Sequence, residues 1–332
     1  MMSFRLAGFR AVRITSYWRP GLTRPSDDEL RILRNVGDAA ARNGVRVYVT
    51  VMSPGSATTP LTDEARGDFA SYAAALVREA PSIEHVIVGN EPNLNRFWLP
   101  QFALDGTSAS PAAYLTLLSE TYDALKAVSP GVRVYGGAVS PRGSDRPGGA
   151  RPTHSPTKFV QELGIAYRAS GRDRPVMDAF VIHPYGDNSS QSPSTAHPLT
   201  TTIGIADYAK LVTLLGEAFG GTAQQGSTLP ILYAEYGVQT TVPDRKASIY
   251  TGREPATTLG VDEGTQAAYY RQAIELAFCQ PNVRGIFFLH TSDEADLDRW
   301  QSGVFYADGS PKSSLPALAG GAVQSRRGVV AR

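Results

Sequence analysis

Short β-rich runs alternate with amphipathic helical stretches along the whole chain, and this alternation constrains the fold more than any other feature. The runs are residues 11–15, 46–51, 85–89, 133–137, 179–183, 231–235 and 285–290. Most are four to six apolar residues rich in Val, Ile, Tyr and Phe, the pattern of strands covered on both faces. Strand, helix, strand, helix without interruption predicts a parallel sheet with right-handed crossovers. No composition break or linker divides residues 1–332, so the chain reads as a single domain, with a short irregular tail from about 319.

Helix ends are marked. Ser26-Asp27-Asp28-Glu29 is a capping box, and Gly44 stops that helix. Ser110-Pro111 and Ser155-Pro156 each read as an N-cap before a proline in the first turn, with Gly171 as the stop for the second. Residues 62–80, 205–219 and 265–280 supply further helices.

The connections are one-sided. Helix-to-strand links are short, as at Asn43-Gly44-Val45 and Gln280-Pro281-Asn282. Strand-to-helix links are long: 90–110, 138–155, 184–204 and 236–264. In a parallel barrel the long links all emerge at the C-terminal face, where barrel enzymes keep their active sites.

Composition excludes several other classes. Lys and Arg number 32 against 31 Asp and Glu, so the net charge of +1 leaves no basic excess for nucleic acid. No apolar run approaches the roughly 18 residues of a membrane helix. A single cysteine, Cys279, precludes an intrachain disulfide, and its apolar helical surroundings predict a buried filler. No charged start followed by an apolar run marks a signal peptide, and location stays open.

Two strands end in glutamates: Val88-Gly89-Asn90-Glu91-Pro92 and Tyr233-Ala234-Glu235-Tyr236. A carboxylate at the end of an apolar strand is costly without a partner or a purpose. Two that converge on one barrel mouth make the arrangement that glycoside hydrolysis needs, a proton donor facing a nucleophile or base.

On these residues the chain resembles the cellulase-like (β/α)8 glycoside hydrolases, the clan with catalytic glutamates after strands four and seven. Asn90-Glu91-Pro92 is similar to its acid/base motif, and Glu235 in Ala-Glu-Tyr-Gly to its nucleophile. Arg13 in Ala-Val-Arg-Ile-Thr resembles the strand-two arginine beneath the nucleophile, and His183 and Tyr185 in Ile-His-Pro-Tyr resemble the strand-six pair.

The resemblance implies a (β/α)8 TIM barrel and retaining hydrolysis of a β-glycoside without a cofactor or metal. The expected partner is an oligosaccharide, polysaccharide or glycoside, with no nucleic acid and no membrane. Glu235 would be the nucleophile and Glu91 the acid/base. Asn90 would bond the sugar 2-hydroxyl, while Arg13 and Tyr185 would hold Glu235. Two alternatives stay open: a carbohydrate-binding barrel without catalysis, and an arabinofuranosidase-like member of the clan.

His290 stands where many clan members carry a tryptophan as the floor of the sugar site. Trp18, Trp98 and Trp300 are the candidate stacking platforms, with Thr50, His154 and His197 as weaker site candidates. The acidic loop 292–298 lacks the glycine and spacing of an EF-hand, so it reads as a solvated or sugar-binding loop.

The strand that bears Arg13 is the first readable one, although the resemblance makes it strand two. Residues 1–10 are too few for a strand, a loop and a helix of about 11 residues. Strand one and most of helix one are therefore expected to be absent from this chain, with open edges on strands two and eight. Val329-Val330 is the only β-prone pair in the tail.

Overall fold

The computed structural model describes residues 7–328. Seven parallel strands form one sheet in chain order. They are β1 (Ala11–Tyr17), β2 (Arg46–Met52), β3 (His85–Val88), β4 (Arg133–Val139), β5 (Ala179–Ile182), β6 (Ile231–Tyr236) and β7 (Val283–Phe288). These are the seven runs read from the sequence, shifted by a few residues at most. The sheet curls. Tyr48 on β2 meets Phe287 on β7 with ring centroids 5.0 Å apart, and Arg13 on β1 reaches Glu235 on β6. Among the described residues no strand precedes β1, and no ladder joins it to β7. Phe4, Arg5 and Leu6, like Val329-Val330, lie outside the described residues.

Among the described residues seven α-helices cover the outside: α1 (Asp27–Arg42), α2 (Asp63–Glu79), α3 (Ser110–Val128), α4 (Pro156–Ala169), α5 (Tyr208–Phe219), α6 (Glu263–Phe278) and α7 (Leu315–Arg326). The strands are apolar on both faces because each face has its own core. One lies between sheet and helices, with Val49, Val86, Val134 and Phe180 against Phe69, Tyr114 and Phe159. The other fills the barrel with Tyr48, Ile87, Tyr135, Val181 and Leu232.

Four helices begin on a side-chain cap, at Ser26, Thr62, Ser155 and Asp262. The expected capping box at Ser26 forms only half. Ser26 accepts from the Glu29 amide, but the Glu29 carboxylate accepts from the buried hydroxyls of Ser16 and Tyr72 at 2.5 and 3.0 Å. Ser110, by contrast, is not a cap. It is already helical, and its hydroxyl donates to Gln101.

The tail also departs from expectation. Residues 315–326 form α7, with Pro316 in its first turn, where an irregular segment was expected from about 319. Small residues let α7 lie close to α6, and a Cβ on Gly321 would come within 3.1 Å of Ile274. Cys279 is exposed rather than buried, because it is the C-cap of α6 and has left the apolar face.

Candidate active site

The site is built from Arg13 on β1 and from the C-terminal ends of β3, β5 and β6. On β1 the side chains of Arg13, Thr15 and Tyr17 share the inner face, while Ser16 points to the helices. Arg13 ion-pairs with Glu235 near the end of β6 and donates to Thr50 Oγ1 at 2.7 Å and Asn90 Oδ1 at 3.1 Å. It thus ties β2, β6 and the segment after β3 to β1. Tyr185, just past β5, donates its hydroxyl to the other Glu235 oxygen at 2.9 Å.

Glu91 is presented by an unusual backbone. After β3 the chain turns through Gly89 at φ 80° and Glu91 itself at φ 41°, a left-handed conformation that costs a non-glycine residue about 1 kcal/mol or more. Neighbouring bonds hold it there. The Glu91 amide donates to Ala138 O at 2.8 Å. Asn93, fully buried, donates to the carbonyls of Ser140 and His154 and accepts from the Ser140 amide. Sequence reading did not flag Asn93, because its role depends on β4 and on the loop after it.

His183 Nδ1 lies 3.0 Å from Glu91 Oε1 and 3.7 Å from Glu235 Oε2. One oxygen of each glutamate and one His183 nitrogen fall within 4.8 Å of one another. Such a trio has the spacing of cation ligands, but Arg13 and Tyr185 already engage both Glu235 oxygens. His183 is fully buried behind the carboxylates rather than in the cavity wall, so it touches the pair and not the space in front of it. Its Nε2 has no partner among the described residues.

The electrostatics separate the groups. Burial opposes ionisation of Glu235, but the charges of His183 and Arg13 outweigh it, together with the bonds from Arg13 and Tyr185. The carboxyl is held below its ordinary 4.5, at about 2. Burial first, and then the Glu235 charge, push the Tyr185 hydroxyl well above 10, so it stays a donor.

A lowered carboxyl pKa contributes stability that is complete above pH 4.5 and is lost as the pH falls from there toward about 2. Arg13→Met removes one of the two charges that depress it. The acid-side loss of stability, and of any activity that needs ionised Glu235, should then begin at higher pH. Acid titration of wild type and variant checks this, and coincident curves would contradict it.

The glutamates face a cavity of about 1450 Å³ that opens at the mouth and continues down between β1 and β7. Arg13, Asn90, Glu91, Tyr185 and Glu235 line it, as do His290 and Trp300. His290 follows β7 through a cis peptide bond and lies 3.6 Å from Glu294. Trp300 returns on the same long loop, its ring tilted 30° against Tyr185 at 5.2 Å.

The other two tryptophans are not platforms. Trp18 is fully buried: it faces the helices, where it meets Phe69 at 5.5 Å and donates to Leu22 O. Trp98 is 4% exposed and packs edge-on against Tyr114. His154 is buried among Gln101, Ser108 and Ser110, and His197 pairs with Asp207. Thr50 serves only as the acceptor for Arg13.

The acidic loop is also more than a solvated one. Asp293 forms a fully buried ion pair with Lys312 at 2.8 Å. Neither this pair nor Tyr17, which lines the cavity mouth, was among the sequence candidates.

No family model and no curated protein matches the sequence. Solved structures do. A family 39 glycoside hydrolase from the gut symbiont Bacteroides cellulosilyticus WH2 superposes with a TM-score of 0.65 at 21% identity, over 97% of this chain and 59% of its own. A glucosidase from Croceicoccus marinus gives 0.65 at 15% identity, over 98% and 62%. The GH39 enzyme from Xanthomonas axonopodis pv. citri gives 0.57 at 17%, over 96% and 60%. The chain thus spans about three fifths of each of these proteins. At such identities the likeness is one of fold: a curled parallel α/β sheet of the glycoside-hydrolase barrel type.

Proposed function

We propose that this protein is a retaining glycoside hydrolase that cleaves β-glycosidic bonds by double displacement. One observation carries the reading. Oxygens of Glu91 and Glu235 face each other within 4.8 Å at the mouth of the barrel. A nearest-oxygen approach this short fits carboxyl groups about 5–5.5 Å apart, as in retaining pairs, better than the about 6.5–9.5 Å that inverting pairs leave for a water. The Arg13 and Tyr185 bonds support the division of labour, because a nucleophile must be ionised and aimed. The glycoside hydrolases with the same fold support the substrate class.

In this reading Glu235 attacks the anomeric carbon. The bond to the leaving oxygen breaks as Glu91 gives that oxygen its proton. Water then attacks the glycosyl-enzyme, its proton passes to Glu91, and the bond to Glu235 breaks. Asn90 turns its oxygen to Arg13, leaving its amide nitrogen for a sugar hydroxyl. His183 sets the direction of Glu91 from behind. Trp300 offers an aromatic face beside Tyr185 for the sugar being cut.

Aryl β-glycosides test the assignment. Glu91→Ala should keep the first step on substrates with good leaving groups, which need little protonation, and azide should restore turnover by giving a β-glycosyl azide. An α-azide would reverse the two roles. Sugar binding with no hydrolysis across a broad panel would favour a binding barrel instead.

A further inference from the structure

The mouth of the cavity holds an aromatic side chain that the hydrolytic reading does not use. Tyr17 ends β1 and is 51% exposed. Among the described residues its side chain has no hydrogen-bond or ring partner. Its strand parity turns it to the inner face with Arg13, four residues away and so about 13 Å further along the strand axis.

Its neighbours continue a largely apolar wall toward the acid/base. Met52 is its register partner on β2, and Leu94 and Phe97 follow on the loop after Glu91, with the Arg96 guanidinium 5.4 Å from the Phe97 ring centroid. The opposite arc, after β4 and β5, is polar, with Arg142, Asp187 and Asn188. Arg13 bonds Glu235 and Asn90, whereas among the described residues Tyr17 bonds none of Asn90, Glu91 and Glu235, so it stands outside the cluster that holds the reacting ring. The cavity also exceeds the roughly 300–1,000 Å³ of a small-molecule site, although part of it runs down between β1 and β7.

We infer that Tyr17 is a stacking platform for a second sugar ring, so that the substrate is an oligosaccharide or longer chain rather than a single sugar on a small leaving group. Half-exposed tyrosine suits this task. Its ring face is apolar, its hydroxyl stays in water, and a rigid strand end holds it with little entropy left to lose. The inference rests on the hydrolase reading, and its test separates the two.

Wild type, Tyr17→Ala and Tyr17→Phe are compared on single-sugar β-glycosyl fluorides, which have neither a second ring nor an aryl group. The same proteins are compared on β-linked di- and trisaccharides of glucose, xylose, mannose, galactose and glucuronic acid. Tyr17→Ala should raise KM for the oligosaccharides by about 5- to 10-fold, leave the fluorides unchanged, and be rescued by Tyr17→Phe. Equal KM on the oligosaccharides, or an equal loss on fluorides, overturns the inference. If wild type hydrolyses none of these compounds, the hydrolase reading fails alone. Calorimetric binding of the trisaccharides to wild type and Tyr17→Ala then decides the platform: weaker binding to the variant supports it, and equal or absent binding overturns it.

Discussion

Glu235→Ala should lose turnover on every substrate, good leaving group or poor, by roughly 10⁴-fold or more, the scale seen when a nucleophile is deleted. The reason lies in where the side chain stands. Arg13 and Tyr185 hold one Glu235 oxygen each, and among the described residues no other carboxylate shares those partners. Glu91 cannot take over the attack, because its bond to His183 and its left-handed backbone hold it elsewhere. Fold should survive the change. Arg13 keeps its bonds to Thr50 and Asn90, so cooperative thermal unfolding is expected to persist. Steady-state rates on aryl glycosides, with unfolding curves as the control, check this. A variant within a hundredfold of wild type would show that the nucleophile is another group.

Lys312→Met should be the most destabilising single change outside the barrel strands. Lys312 and Asp293 are both fully buried. Burial pushes the Asp293 carboxyl up and the Lys312 amine down, so desolvation works against both charges. What holds the pair is the number of bonds around it. Lys312 donates to Thr240 Oγ1, Asp293 Oδ1 and Gln301 O, while Asp293 accepts from Tyr250 and the Gly303 amide. Removing one partner leaves the other charge buried and unpaired, which costs about 3–5 kcal/mol. The loop fastened there also carries Trp300, so sugar binding should weaken together with stability. Denaturant midpoints and KM measure the two effects. Replacing both residues with apolar ones should recover much of the stability, because the remaining charge is then gone. A single variant as stable as wild type would mean that the pair is solvated.

The fold was legible because each strand is a short apolar run that two cores require. The two glutamates were legible because carboxylates end such runs, at positions that one barrel face must gather. Trp18 and Trp98 were misread because closeness in sequence to a site residue says nothing of direction. Trp18 follows Tyr17, and the alternation of strand side chains sends one to the helices and the other to the mouth. The same alternation, counted from Arg13, would have found Tyr17. The Asp293–Lys312 pair had no local signal, since its partners lie 19 and 72 positions apart. Helix α7 was missed because its glycines hide a packing role that only α6 reveals.

Covalent trapping identifies the nucleophile. The protein is incubated with 2,4-dinitrophenyl 2-deoxy-2-fluoro-β-glycosides of glucose, xylose, mannose, galactose and glucuronic acid, then digested and analysed by mass spectrometry. A slow-turnover fluorosugar should accumulate as one glycosyl ester, on the peptide that contains Glu235. An adduct on Glu91, or hydrolysis with inverted product and no adduct, would contradict the account.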